Sequence, residues 1–238
     1  MLNIYNSNGL MFWNEQQIAL RNSFVTYFVG EVKKHLLSMN SAWHFEQVEA
    51  TILTPFKYVN QNYTRDDIFS TEPELAPDIL VMRPETTMGS YEYAKHLLNT
   101  HNNTKIRMPL VVWQAGKSFR NELDLVTKNM RLKEFYQLEF QCIYSTKTAN
   151  DYYTAAIPLM LESFVKFFGT ACRIVDSDRL PDYSERTVDI EIFIPGNKWM
   201  ELCSISKRKD FDGAHVLEIA IGLDRLLYAF ENRFNNGQ

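Results

Sequence analysis

Residues 109–122, "PLVVWQAGKSFRNE", and residues 134–145, "EFYQLEFQCIYS", decide the fold. In the second stretch Gln137, Glu139 and Gln141 alternate with Tyr136, Leu138, Phe140 and Cys142. Successive side chains of a strand point to opposite faces, so this pattern predicts a strand with one polar and one apolar face. The intervening "LDLVTKNMRLK" (123–133) is too long for a two-residue turn. The pair therefore reads as an antiparallel hairpin with a long tip.

Outward from this hairpin the elements follow in order. "NEQQIALRNSFVTYFVGEVKKHLLSM" (14–39) places Ile18, Phe24, Phe28, Val32 and Leu36 at helical spacing. "HFEQVEATILTPF" (44–56) reads as one strand stopping at Pro55. Residues 58–77 read as a polar loop, "LVMRPET" (80–86) as a short strand into a turn, and "TTMGSYEYAKHLLNTH" (86–101) as a helix. "ANDYYTAAIPLMLESFVKFFG" (149–169) is a helix expected to bend near Pro158. "TVDIEIFIPGNKWMELCSIS" (187–206) is a second hairpin turning at Pro195-Gly196-Asn197. "AHVLEIAIGLDRLLYAFEN" (214–232) is a strand, then Gly222, then a helix. This order predicts an α+β fold, an antiparallel sheet flanked by helices. Residues 1–238 read as a single domain.

Alternation gathers charge on one face: Arg120, Glu122, Glu139, Asp189, Glu191, Glu201 and Glu218. Two readings stand. Antiparallel sheets commonly leave one face solvated. Alternatively, an excess of carboxylates beside Phe135 makes a floor for a cationic or amine ligand. Arg225, in the first turn after Gly222, adds a bidentate donor where a helix N-terminus favours anions.

Composition narrows the class. A net charge of −4 argues against wholesale wrapping of nucleic acid but leaves room for a local basic patch. Three widely spaced cysteines form neither a disulfide framework nor a metal-spaced pair, which points to a reducing, cytoplasmic setting. No apolar run approaches the ~20 residues of a membrane span, so no membrane partner is expected. His215 reads as structural, and Cys203, with nothing basic beside it, as packing.

Together these stretches resemble the catalytic core of the class II aminoacyl-tRNA synthetases, and the glycyl enzymes among them. "GKSFRNE" (116–122) followed by "RLKEFYQLEF" (131–140) is similar to that family's second motif, and "LEIAIGLDRLL" (217–227) to its third. The long first helix and "VEATILTP" (48–55) resemble the first, which ends at a dimer interface. "RPETTMGS" (83–90), "DIEI" with "GNKWMEL" (189–192, 196–202) and "ISKRKDFD" (205–212) resemble the glycyl branch.

The resemblance implies ATP and Mg2+ as cofactors and roles residue by residue. Arg120 would bind the α-phosphate and the amino-acid carboxylate, and Glu122 the adenine amino edge. Arg131 and Arg225 would hold the γ-phosphate of a bent ATP, with Phe135 stacked under adenine. Glu201 would hold magnesium with help from Glu218. Glu85, Glu139 and Glu218 would surround the glycine ammonium, with Arg208 at the carboxylate. The tRNA acceptor end would meet the loop 123–130, and the protein would be a homodimer.

The sequence departs from the pattern in places. Ala220 stands where the family has a serine that helps seat glycine, Ile219 where it has proline, Met88 where glutamine is usual and Lys209 where threonine is usual. The anticodon-binding domain that follows in glycyl enzymes is not expected here. Three functions therefore compete: activation of an amino acid for tRNA, activation for a carrier protein, protein lysine or small molecule, and a non-catalytic accessory subunit derived from a synthetase.

Overall fold

The computed structural model describes residues 5–7, 10–99, 107–122, 130–148, 151–169, 171–178, 180–194 and 199–234. Two three-residue strands, β1 (Tyr5–Ser7) and β2 (Leu10–Phe12), pair at the N-terminus. The long helix α1 (Glu15–Met39) follows. Asn14 starts it with a capping box: its side chain accepts from Gln17 N, and Gln17 Oε1 accepts from Asn14 N, both at 2.9 Å.

The expected strand 44–56 is two strands in different sheets. β3 (His44–Gln47) joins the main sheet, while β4 (Leu53–Pro55) pairs with β5 (Leu80–Met82) in a separate ribbon. Helix α2 (Thr87–Asn99) comes next, then the hairpin β6 (Leu110–Phe119) and β7 (Glu134–Ser145). α3 (Tyr152–Phe168) is a single helix containing Pro158 and ends at Gly169, whose φ of 56° is the left-handed C-cap geometry glycine adopts without penalty. A short edge strand follows, β8 (Cys172–Asp176), which the sequence reading passes over. β9 (Ser184–Phe193) and β10 (Trp199–Arg208) form the second hairpin; its turn, 195–198, lies outside the described residues. β11 (Ala214–Gly222) leads directly into α4 (Leu223–Phe234).

The main sheet has seven strands in the order β3-β6-β7-β11-β10-β9-β8. All pairs are antiparallel except β3 with β6, so the sheet is mixed at that edge. Its two faces differ. One carries Leu138, Phe140, Cys142, Ile190, Ile192, Ile205, Ile219 and Ile221, all buried, under α1, α3 and α4. Phe24, Phe28, Val32 and Leu36 of α1 interlock there with α3, the Phe28 and Phe164 rings 4.6 Å apart. On the other face, α2 covers only the lower half, packing Tyr91 and Ala94 on Leu110, Val112, Ile143 and Val216. Among the described residues no helix covers the upper half, and the site forms there.

Candidate active site

The floor is built from rungs of paired residues running across the sheet. One reads Gln141, Glu218, Ser206, Thr187; the next reads Glu139, Ala220, Ser204, Asp189; above it Gln137 pairs with Gly222. Directly paired residues share a face, so these side chains all project one way. Above them is a cavity of about 620 Å³. Its walls include Arg120, Glu122, Arg131, Phe135, Glu201, Arg225, Glu85, Glu139, Glu218 and Ala220. Ten of the eleven residues singled out from the sequence thus meet at one cavity, including the three arginines drawn from three separate segments. The solvated-face reading does not describe this floor: Glu139, Asp189 and Glu218 are each under a tenth exposed.

Arg120 and Glu122 arrive differently from the expectation. β6 ends at Phe119, so strand alternation does not place them. Arg120 N donates to Lys133 O at 2.9 Å, which keeps the segment beside β7. Its guanidinium donates from Nε to Pro84 O at 3.1 Å and lies 5.2 Å from the Phe135 ring centroid and 5.5 Å from that of Tyr63. Tyr63 belongs to the stretch read as a polar loop. That stretch folds on Val59, Ile68 and Val81 and carries Tyr63 to the cavity, where its hydroxyl donates to Glu85 Oε2 at 3.2 Å.

The deep end of the cavity is acidic. Glu139 accepts from Thr86 Oγ1 at 2.5 Å and from Gln137 Nε2 at 2.6 Å. Burial, reinforced by Glu218 and Glu85, pushes its carboxyl up to about 8. Burial also raises Glu85, whose Oε1 has no hydrogen-bond partner among the described residues. The nearest cation to that atom is Arg208 Nη2 at 3.9 Å. Glu218 Oε2 accepts from Arg208 Nη1 at 2.6 Å, Gln141 Nε2 at 2.8 Å and Thr87 Oγ1 at 3.2 Å. Both threonines come from the start of α2, and Arg83 braces the strand beneath, donating to Lys117 O, Ala50 O and Gln114 Oε1. Gly116 has no Cβ because one would stand 2.5 Å from Arg83 Nη2. The sequence offered no periodic signal for Tyr63, Arg83 or the two threonines, since all four lie in or beside loops.

Two expectations need correction. Arg208 is fully buried, and its guanidinium is taken up by Glu218, Thr87 and both oxygens of Asp210, with Tyr183 stacked 3.9 Å away. It holds Glu218 in place and is not among the cavity-lining residues, so it is not positioned to meet a substrate carboxylate. Glu201 and Glu218 are also not brought together. Glu218 pairs with Ser206, five residues from Glu201 along β10, on the order of 15 Å at ~3.3 Å per residue. Each is tied to a different arginine, Glu201 to Arg225 at 3.1 Å and Glu218 to Arg208. Among the described residues, no group of three His, Cys, Asp or Glu side chains is placed to hold a metal ion. Glu201 by itself, partly exposed on the wall beside Arg225, suits an ion such as magnesium that takes one or two carboxylates and completes its shell with water and phosphate.

Glu201 reaches the cavity through an irregularity. Ser204 and Ser206 face the floor, so simple alternation would send Glu201 to the apolar side. A bulge between Glu201 and Cys203 inserts Leu202 and returns Glu201 to the polar face, opposite Glu191. Glu191 itself is bound by Arg173 at the sheet edge and does not line the cavity. Cys203 is buried and its thiol pushed up by burial, as packing requires; His215 leans on the Tyr144 ring at 5.6 Å. Of the expected acceptor-end loop, 123–130, residues 123–129 lie outside the described residues, and Met130 lines the cavity.

Residues 69–221 match the family described as "tRNA synthetase class II core domain (G, H, P, S and T)". The chain belongs to that family. Glycine–tRNA ligases are similar to this class II core: that of Mycoplasmopsis synoviae is 30% identical over 177 residues, covering 63% of this chain and 38% of the relative. That of Mycolicibacterium paratuberculosis is 33% identical over 160 residues, covering 64% and 34%. The core thus spans well under half the length of these curated relatives. Among solved structures, a prolyl-tRNA synthetase from Cryptosporidium parvum complexed with halofuginone and AMPPNP superposes with a TM-score of 0.72 at 15% identity, covering 97% of this chain and 49% of the other. The Giardia lamblia prolyl-tRNA synthetase in complex with prolyl-adenylate gives 0.68 at 12% identity, covering 96% and 49%. At such identities the likeness concerns the fold.

Proposed function

We propose that the chain activates an amino acid with ATP to form an aminoacyl adenylate, that the amino acid is glycine, and that the acceptor is a tRNA 3′ end. One observation carries the reading: Glu85 Oε1, buried and without a hydrogen-bond donor among the described residues, stands among Glu139 and Glu218. A buried acceptor left unsatisfied costs about 1–3 kcal/mol. A compact ammonium group removes that cost and balances the carboxylates together. The naming of the relatives as glycine–tRNA ligases supports glycine as its bearer.

In the activation step the amino-acid carboxylate attacks the α-phosphorus and pyrophosphate departs. The nucleophile is already ionised, so no general base is needed. The work is positioning and charge neutralisation. Arg120, anchored on Pro84 O, neutralises the α-phosphate. Arg131 and Arg225 take the outer phosphates, Phe135 gives adenine a stacking surface, and Glu122 accepts from its amino group. Glu201 would hold magnesium, which supplies further charge neutralisation at the phosphates. Arg208 acts behind the surface by holding Glu218.

We assign the 238 residues to one catalytic core working as a cytoplasmic homodimer. The β4–β5 ribbon supports the dimer: Leu53 pairs with Met82 and Pro55 with Leu80, so one face displays Leu53, Leu80 and Met82, all exposed. No helix among the described residues is long and apolar enough to cross a membrane.

The test is amino-acid-dependent exchange of labelled pyrophosphate into ATP. Glycine should support exchange, and Arg120→Ala should lower it by about 10²–10³-fold, the usual effect of removing one preorganised donor at a developing charge. Absence of exchange with every amino acid would overturn the reading.

A further inference from the structure

The middle rung of the floor has a gap in its hydrogen-bonding groups. Across the sheet, Gln114, Glu139, Ala220, Ser204 and Asp189 are successive partners on β6, β7, β11, β10 and β9. Neighbouring strands lie about 4.8 Å apart, so Ala220 is flanked at about that spacing by Glu139 and Ser204. The Ala220 methyl can neither donate nor accept. A ligand resting on it, with its ammonium among Glu85, Glu139 and Glu218, has Glu139 directly on one bank, while on the other the Asp189 carboxylate stands one strand beyond Ser204. The first polar group on the opposite bank is Ser204 Oγ.

The two serines of β10 that face the floor are held differently. Ser206 Oγ is 3.0 Å from Thr187 Oγ1, which is 3.0 Å from Ser184 Oγ, a chain of hydroxyls engaged with one another. Ser204 is the direct cross-strand partner of Asp189, whose carboxyl is 7% exposed and is stabilised in its charged form by the Ser204 and Ser177 hydroxyls. A hydroxyl whose proton is committed to a carboxylate offers its lone pairs elsewhere, and donation polarises it into a better acceptor. Ser204 is half-buried and lines the cavity, as do Asp189 and Ala220.

We propose that Ser204, aimed by Asp189, seats the amino acid: Ser204 Oγ accepts a hydrogen bond from the substrate ammonium on the far side of Ala220 from Glu139. Ser204 is then a binding residue and Asp189 a positioning residue. The proposal deepens the activation reading and rests on it.

The experiment is pyrophosphate exchange with varied glycine and varied ATP. Ser204→Ala should raise KM for glycine about three- to tenfold, the effect of one lost hydrogen bond, with KM for ATP unchanged. The double variant Ser204→Ala/Ala220→Ser moves the hydroxyl one strand over and should recover most of the loss. Asp189→Asn, whose amide can donate to Ser204 and turn its proton toward the ligand, should raise KM for glycine with little change in kcat. An unchanged KM for glycine in Ser204→Ala, a rise in KM for ATP instead, or no recovery in the double variant would each overturn the assignment while leaving activation standing. A parent chain that shows no exchange would overturn both.

Discussion

Glu139 shows how one residue's surroundings set its charge. Its carboxyl, normally near 4.5, lies at about 8 because burial and two neighbouring carboxylates disfavour ionisation. A raised acid holds a proton in the native state that the unfolded chain releases between those values. Its contribution to stability is therefore complete below about pH 4.5 and is lost as pH rises through 8. A bound ammonium reverses the balance and expels the proton. Glycine binding near pH 7 should release protons, measured by calorimetry in buffers of different ionisation enthalpy, and Glu139→Gln should abolish that release. The alternation of 134–145 gave Glu139 its face correctly. The same reasoning could not see that Arg208 is consumed by Glu218 and Asp210, because alternation gives the face a side chain takes and not the partners it meets there.

Elements were legible where a period ran long enough. α1 announced itself through Phe24, Phe28, Val32 and Leu36, and these residues are the ones buried on α3 and the sheet. Phe28→Ala should cost about 3–5 kcal/mol in chemical denaturation, because the ring is fully buried against Phe164 and Phe167. Short elements were not legible. β8 has five residues with three exposed side chains, so no apolar face marked it. The stretch 44–56 is continuous in β-forming residues, but β3 and β4 belong to different sheets, a distinction made by their partners β6 and β5. Tyr63 rides on a segment packed on the buried Val59, Ile68 and Val81 and shaped by two single 3-10 turns, too brief for any periodicity.

At the scale of the molecule, one sheet serves two purposes by dividing its faces. Three helices close one side into a core, and α2 closes half of the other, leaving the cavity over β7, β11, β10 and β9. The chain's second apolar outlet is the β4–β5 ribbon, away from that core. Placing a charge there, as in Leu53→Glu with Met82→Glu, should leave the monomer folded and move the assembly from dimer to monomer in light scattering at micromolar concentration. A chain that is monomeric before the change would overturn the dimer assignment. The general plan followed from the order of helices and hairpins; the mixed edge did not, since a parallel partner 66 residues distant is a property of the whole.

The bulge at Leu202 has a consequence for how such a gene can drift. Every residue of β10 before it is displaced by one step relative to those after it, and Glu201 faces the cavity only because of that displacement. Substitutions along β9 and β10 act singly and can be graded by size or charge. Loss of one codon between Glu201 and Cys203 removes nothing polar, yet it turns Glu201 into the apolar layer and exchanges the facing of every residue back to Trp199. Length changes in this hairpin should therefore accumulate between its two strands, and a one-residue deletion at Leu202 should prove more damaging than the conservative replacement Leu202→Met.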